Sequence, residues 1–533
     1  MKFLILIFLS CLTCHSGIEN ISKSHNFSCT ACHNGNSTAR SLPKAHTGLI
    51  RNPSSPEFVD VKCGKCHEKE VEKLKNSLHS TVAKLIAITR FIFGAQKTPE
   101  YLYGAIESKT LSLIPEPTDH PESPASIVDD LLRRKCLRCH VNTEGVKAPG
   151  FYRASGCAAC HVFYDNDGIY KGKDRIMRGR IGYAAYHRFT KDVPDIQCMH
   201  CHNGNRVGAD YHGLFEHDYD KSYRSPYPSR VVYGIDFHYL REDLHARSGL
   251  QCVDCHKGVM EDKKVKCESC HGGFESEIDL NFVDLKQGKP YITLRTGRKL
   301  RVPEFKKDAP GHDRKHHKVA CSLCHASWAY GDYGLHLVRI DIPDYYPWKR
   351  LILQADPPVT EFLKDQLEKP FKEWEKPKMK DFIDGKIKRG LWLSGWSLRR
   401  WEIIPMGVKG EKYAALRPMY QFFISYVDSE GYVIMDSEKP LRGDGKIWGS
   451  VAYTPHTTGR GRECFSCHGS PEALGLGYRL NKNHSPDVVI DSITILPPPV
   501  FPETRLLNRK EVKKLLNPVS NIIFRKDENP GRG

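Results

Sequence analysis

Cys136-Leu-Arg-Cys-His140 and, shortly after it, Cys157-Ala-Ala-Cys-His161 set the pattern on which this chain is built. Outward from this pair the same C-x-x-C-H spacing recurs. Towards the amino terminus it uses Cys11, Cys14 and His15, then Cys29, Cys32 and His33, then Cys63, Cys66 and His67. Beyond Cys136, Cys139 and His140 and Cys157, Cys160 and His161, it uses Cys198, Cys201 and His202, then Cys252, Cys255 and His256. Cys267, Cys270 and His271 follow, then Cys321, Cys324 and His325, and finally Cys464, Cys467 and His468. The chain has 20 cysteines, and ten motifs use all of them.

Two cysteines three residues apart on a helical turn can each form a thioether to a porphyrin vinyl group. The histidine that follows then lies under the iron as proximal ligand, and C-x-x-C-H is the attachment signature of haem c. Zinc ribbons also use paired C-x-x-C, but tetrahedral zinc does not require a histidine directly after every pair. A disulfide scaffold does not place every cysteine at i and i+3. The expected cofactor is therefore haem c, about ten per chain, or nine if Cys11 is lipidated or removed.

Of the 26 histidines, ten are proximal and sixteen remain. The supply permits a second axial histidine at every iron, although Met, Lys, water or an open position also occur. A histidine a few residues ahead of a motif is the strongest candidate, which selects His25, His245, His316, His317 and His456. Covalent haem also accounts for the composition. Only 40% of the residues are apolar and the mean hydropathy is −0.49, so porphyrin faces would replace much of an aliphatic core. The formal charge of +17 needs no nucleic acid, because haem propionates bring enough negative charge to offset most of it.

Haem is attached to this motif outside the bacterial inner membrane, which points to the periplasm or the cell surface. Residues 1–10 read as a signal peptide or N-terminal anchor, one lysine followed by an apolar run. Three readings compete there: Cys11 as a lipidated cysteine, a start upstream of Met1, or a retained anchor beside a real haem. After this segment no apolar run reaches the roughly 18 residues of a membrane span.

The expected fold is mainly α and irregular, a haem-packed core of short helices with a small β-containing C-terminal domain. Residues 11–341 form the multihaem core with nine motifs. Residues 342–480 form a Trp-rich β-containing domain that ends in the tenth motif, and 481–533 form a C-terminal arm. Apolar residues at three- and four-residue spacing predict one helix over Lys69–Phe93, projecting His79 towards a haem other than its neighbour's. Alternation over Gln421–Val427, a turn at Asp428–Gly431 and a return through Tyr432–Met435 predict a hairpin. Asp332-Tyr-Gly-Leu-His336 has the register of a motif without its cysteines and reads as a loop histidine.

Cys63-Gly-Lys-Cys-His67 and the following run to His79 resemble the multihaem cytochromes related to hydroxylamine oxidoreductase and octahaem tetrathionate reductase. Further blocks resemble large exported multihaem cytochromes. These are Tyr152-Arg-Ala-Ser-Gly-Cys157, His187-Arg-Phe-Thr190 leading into Cys198, and Pro455-His-Thr-Thr458 ahead of Cys464. The opening Cys11–His15 with His25 and Cys29–His33 is familiar in that group as two haems, which favours a real first haem. The resemblance implies electron transfer through a haem chain, with His25, His46, His79, His187, His245 and His456 as distal ligands. The first functional expectation is an electron carrier between a quinol-oxidising membrane module and a terminal reductase or extracellular acceptor. The second is an oxidoreductase acting on a small nitrogen or sulfur compound at one open iron, with catalytic residues unassigned. A scaffold subunit that docks through the Trp-rich domain is the third.

Overall fold

The computed structural model describes residues 11–516 except 204–206, 217–231, 236, 261–264, 328–329, 333–334, 351–355, 397–398, 402–403, 419–421, 437–449, 475–477, 481–487 and 491–498. The expected leader or anchor, 1–10, and the end of the arm, 517–533, lie outside the described residues.

Up to Ala326 the backbone is mostly short helices and irregular connections. Cys29–His33, Ala158–His161, Asp195–Met199, Cys252–Cys255, Cys267–His271 and Cys321–His325 each carry all or part of a motif on about one helical turn. Helices this short do not persist alone, because the cost of nucleation is not recovered. Neighbouring backbone holds them instead. Before Ala158–His161, Gly156 has φ +67, and a Cβ there would stand 1.6 Å from the Ser54 carbonyl oxygen. The Ser54 hydroxyl then accepts from the Ala158 amide at 3.0 Å.

The helix expected over Lys69–Phe93 is divided in three. Lys65–Asn76 ends at Ser77, whose backbone is extended and whose hydroxyl accepts from the Ser80 amide to cap Leu78–Thr81. Val82, left-handed at φ 51, separates that turn from Ala83–Ile92. Ser77 offers the backbone a local side-chain partner that competes with helix continuation, a term that apolar spacing does not register. The division leaves His79 on a turn of its own.

The first four-stranded sheet has the order Leu391–Trp396, Leu335–Ile340, Phe422–Val427, Val433–Asp436. Its central pair is parallel and its outer pairs antiparallel. The hairpin read from the sequence is its Phe422–Val427/Val433–Asp436 edge, with the Asp428 carboxylate accepting from the Glu430 and Tyr432 amides in the turn. Strand Leu335–Ile340, ahead of residue 342, runs inside the sheet, and His336 belongs to it rather than to a loop. Both faces of this sheet are covered. Leu337, Trp392, Ile424 and Tyr426 pack on helices Ala83–Ile92 and Pro124–Arg134. Val338, Ile340, Leu391 and Leu393 pack on Tyr345, Trp374 and helix Pro357–Glu368.

The second four-stranded sheet is antiparallel, in the order Ser450–Ala452, Lys412–Pro418, Met406–Lys409, Thr504–Leu506. Met406 and Ala415 share a cluster with Leu323 of the ninth motif and with Val512, Leu515 and Leu516 of helix Arg509–Leu516. The C-terminal arm thus adds a strand and a helix to the packing around the last two motifs.

Helix Pro124–Arg134 ties the two parts together. Ser123 caps it, Pro124 opens it, and Arg134 leads straight into Lys135 and Cys136. Its charged residues are buried and paired. Arg90 meets Asp129, Arg133 meets Asp381 at 2.7 Å, and Asp130 meets Arg134, Arg339 and the Trp392 indole N–H. Just past the helix, Lys135 and Arg138 both reach buried Asp356 at 2.8 and 3.2 Å. Asp356 precedes helix Pro357–Glu368, but its carboxylate serves these cations rather than that helix's amides.

Candidate functional site

Eight motif histidines each face a second imidazole from elsewhere in the chain. Ring centres are 6.2 Å apart for His15 and His46, 6.0 Å for His33 and His187, and 5.9 Å for His67 and His25. His202 and His79 stand at 6.2 Å, His256 and His456 at 6.4 Å, and His271 and His245 at 6.0 Å. His325 and His312 stand at 6.0 Å, and His468 and His316 at 6.1 Å. A metal–nitrogen bond of about 2.0 Å on either side, with roughly 1 Å from each nitrogen to its ring centre, sets two coaxial imidazoles about 6 Å apart. All eight pairs match that spacing.

The rings are also oriented. Nδ1 of His33 lies 2.8 Å from the Ile50 carbonyl, that of His271 2.6 Å from Pro303 and that of His325 3.1 Å from Gly459. On the facing side, Nδ1 of His187 meets the Glu19 carbonyl at 2.9 Å and that of His312 the Lys306 carbonyl at 3.1 Å. Carboxylates do the same at His15 with Asp174, at His245 with Asp243 and at His316 with Asp313. Each contact places the ring proton on Nδ1 and leaves the Nε2 lone pair for a metal, the usual outer-shell arrangement of ligating histidines. Burial disfavours the charged form of several of these imidazoles. It pushes His202 down to about 4, helped by neighbouring His79, and lowers His33 and His271 likewise.

A cavity of about 3290 Å³ connects five of these pairs, lined by cysteines and histidines of all seven motifs from Cys136 to His468. A single small-molecule site takes about 300–1,000 Å³, so this volume suits several large groups. Thiols of different motifs touch along it and beyond. Cys11 hydrogen-bonds Cys29, Cys63 hydrogen-bonds Cys157, Cys198 hydrogen-bonds Cys252, and Cys267 hydrogen-bonds Cys321. Cys32 lies near Cys63, Cys160 near Cys198, Cys255 near Cys270 and Cys324 near Cys464. Among the described residues no group of three or more His, Cys, Asp or Glu side chains converges as a metal cluster, and no two cysteines are joined in a disulfide. The imidazole pairs, the anchored Nδ1 atoms of eight of their rings, the i,i+3 thiols and the apolar cavity fit a haem held by two thioethers between two histidines.

The distal candidates His25, His46, His79, His187, His245, His316 and His456 all occupy facing positions. His317 does not: its Nδ1 bonds the Arg314 carbonyl at 2.6 Å and no second described imidazole faces it. His312 was not selected from the sequence, because it lies further ahead of Cys321 than the adjacent His316 and His317 do. Sequence adjacency also misassigns partners. His25 precedes Cys29 but faces His67, His316 precedes Cys321 but faces His468, and His456 precedes Cys464 but faces His256. The orienting acids Asp174, Asp243 and Asp313 carried no sequence signal beyond ordinary surface acids.

His140 and His161 are the two motif histidines that face no second imidazole among the described residues. His161 is exposed, with Nδ1 2.9 Å from the Thr190 carbonyl. His140 is 5% exposed and neither of its nitrogens has a hydrogen-bond partner among the described residues. No described helix is long and apolar enough to cross a membrane. No family model, curated protein or solved structure matches the chain.

Proposed function

We propose that this chain is an exported multihaem c-type cytochrome that carries single electrons along a line of covalently held haems. The periplasm or cell surface is its compartment, and redox proteins are its partners. The observation that carries the reading is the set of eight imidazole pairs, each joining a C-x-x-C-H histidine to a histidine outside that motif at 5.9–6.4 Å.

Haem supplies the one-electron chemistry, the iron alternating between ferric and ferrous. The residues do the rest. Paired histidines such as His33 and His187 would hold a haem iron between them in either redox state, so little would rearrange on transfer. Ile50 and Glu19 carbonyls fix the protons at their Nδ1 atoms. Asp174, Asp243 and Asp313 place negative charge behind three further imidazoles and favour the ferric state there.

The second reading, an oxidoreductase with an open iron, draws on the unpaired His140 and His161. Mass spectrometry of the exported full chain, together with its reduced and oxidised visible spectra, tests the shared premise. Ten thioether-linked haems with six-coordinate spectra at most irons are expected, or nine if Cys11 is lipidated. A chain that carries zinc or no haem overturns the proposal.

A further inference from the structure

The thiol contacts run from Cys11 at one end to Cys464 at the other, where Cys464 meets Cys324 of the ninth motif. The large apolar residues between motif cysteines differ between the middle and the ends of this line. Met199, Val253 and Leu323, in the middle, are buried. Leu12 and Phe465, in the first and last motifs, are both 54% exposed. Cys464 and the preceding Arg460 and Gly461 are exposed as well. The last attachment motif therefore lies at the surface, with an aromatic ring at its centre.

Three basic segments meet around it. The Gly469 amide donates to the Leu515 carbonyl at 2.9 Å, which seats the motif against helix Arg509–Leu516. His468 faces His316 and so brings in residues 314–318. The Arg462 amide donates to the Cys324 carbonyl at 2.9 Å, which fixes residues 460–463 to the ninth motif. Each segment supplies exposed cations: Lys510, Lys513 and Lys514 from the helix, Arg314 and Lys315 from the second, and Arg460 from the third. Carboxylates in the same segments are mostly committed to partners. Glu511 is held by Arg505 at 2.7 Å, Glu411 by Lys318 at 3.6 Å and Asp313 by His316 at 3.0 Å, while Glu463 is exposed among the cations. The helix buries Val512, Leu515 and Leu516 in the fold and presents charge outward. A helix that lies on a bilayer needs an outward apolar face, which this one lacks. An apolar centre within a charged rim is instead the anatomy of a protein interface.

We propose that the surface around Phe465 docks an acidic, one-electron redox protein, seated on the aromatic ring and held by the cations of helix Arg509–Leu516 and of residues 314–315 and 460. The inference rests on the multihaem reading above and gives its electron line a defined point of exchange. A single electron moves: the partner's centre is oxidised as a ferric haem becomes ferrous, or the reverse, and no bond forms or breaks. Complementary charge steers such encounters and raises the association rate, and salt screens the effect.

The test mixes the ferric, exported full chain with a reduced, acidic plant-type ferredoxin in a stopped-flow instrument. Photoreduced lumiflavin, small and uncharged, reduces the same samples in parallel. Mass spectrometry counts the haems first: a chain without haem overturns both readings, and a loaded chain isolates this one. At low ionic strength Lys510→Glu/Lys513→Glu should slow reduction by ferredoxin about tenfold, with the haem count, the haem potentials and the lumiflavin rate unchanged. Arg314→Glu/Lys315→Glu should act the same way, and it decides the matter where the helix variant fails to mature. Lys97→Glu/Lys109→Glu makes the same charge change at exposed lysines outside these segments and should keep the ferredoxin rate within about twofold of wild type. A wild-type rate in the first two variants overturns the proposal, and so does an equal slowing in the third, which would make overall charge the cause. A slowing that comes with a shifted haem potential also overturns it, because those cations would then serve haem propionates. Cosedimentation with phosphatidylserine vesicles that is lost in the helix variant, at an unchanged ferredoxin rate, would assign the surface to a membrane instead. Added salt should slow reduction of the wild-type chain by ferredoxin, and a rate indifferent to salt overturns the proposal without any variant.

Discussion

His256 and His456 stand 6.4 Å apart with their ring planes 18° from parallel, although 200 positions separate them in the chain. His468 and His316 stand at nearly the same distance with their planes at 84°. The two pairs share a spacing and differ in orientation, and orientation has a spectroscopic consequence.

In a ferric bis-imidazole haem, parallel axial planes split the iron d orbitals strongly and give a rhombic low-spin EPR signal. Perpendicular planes leave them nearly degenerate and give a signal dominated by one large g value. His256/His456 and His67/His25, at 18° and 24°, are expected in the first class. His468/His316 and His202/His79, at 84° and 75°, are expected in the second. Replacing His316 by Met should remove one large-g component and leave the rhombic ones; a spectrum with only rhombic low-spin signals counts against these geometries.

Asp174 is fully buried and 2.6 Å from Nδ1 of His15. A buried carboxylate behind an axial imidazole makes it a better donor to ferric iron, so Asp174→Asn should raise the potential of that haem. A charged hydrogen bond is worth about 1.5–3 kcal/mol, and if about half of that distinguishes the redox states the shift is about 60 mV, a tenfold change for one electron. Spectroelectrochemical titration of the full chain reads it as one haem moving upward. A downward shift contradicts the assignment.

Burial pushes the Asp356 carboxyl up, but Lys135 and Arg138 outweigh burial and hold it below its ordinary value. A carboxyl with a lowered folded-state pKa contributes stability above its unfolded pKa, about 3.9, and loses it as pH falls further. Asp356→Asn should therefore cost about 3 kcal/mol near neutral pH, since it strands two largely buried cations. It should also flatten the stability profile below about pH 4. Denaturant unfolding followed by far-UV circular dichroism at several pH values checks both, and a variant with the wild-type acid profile refutes the assignment.

The motifs were legible in the sequence because Cys and His stand at a fixed local spacing, the one that covalent haem attachment would require. Cys136–His140 announces itself without any tertiary information. Facing histidines were legible only as a pool. His25, His316 and His456 each sit near a motif, yet each faces the histidine of a different one; a short tether could not carry an imidazole around a porphyrin to its opposite face. His312 shows the same limit from the other direction. The helix break at Ser77 and Val82 escaped because apolar spacing does not sense a capping hydroxyl. Strand Leu335–Ile340 was missed for another reason: it is buried on both faces, so its apolar run lacks the alternation of an exposed strand.

His200 lies inside a motif, between Cys198 and Cys201, and would tempt any search for iron ligands. The structure gives it other work. It is 1% exposed, its Nδ1 lies 2.6 Å from the Gly150 carbonyl, and its Nε2 lies 3.4 Å from Gln197 Nε2. The consistent assignment is a neutral ring with the proton on Nδ1 donating to Gly150 and Nε2 accepting from the Gln197 amide. Burial lowers its pKa despite the nearby carbonyls. A histidine held neutral in the fold contributes stability above its unfolded pKa of about 6.5, and this is lost as pH falls below that value. His200→Gln should keep the haem count, the EPR signals and the potentials of the wild-type chain. It should cost about 1–3 kcal/mol through the buried carbonyl left without its donor. The stability step just below pH 6.5 should shrink by this residue's share. Loss of a low-spin EPR component in this variant would instead make His200 an axial ligand.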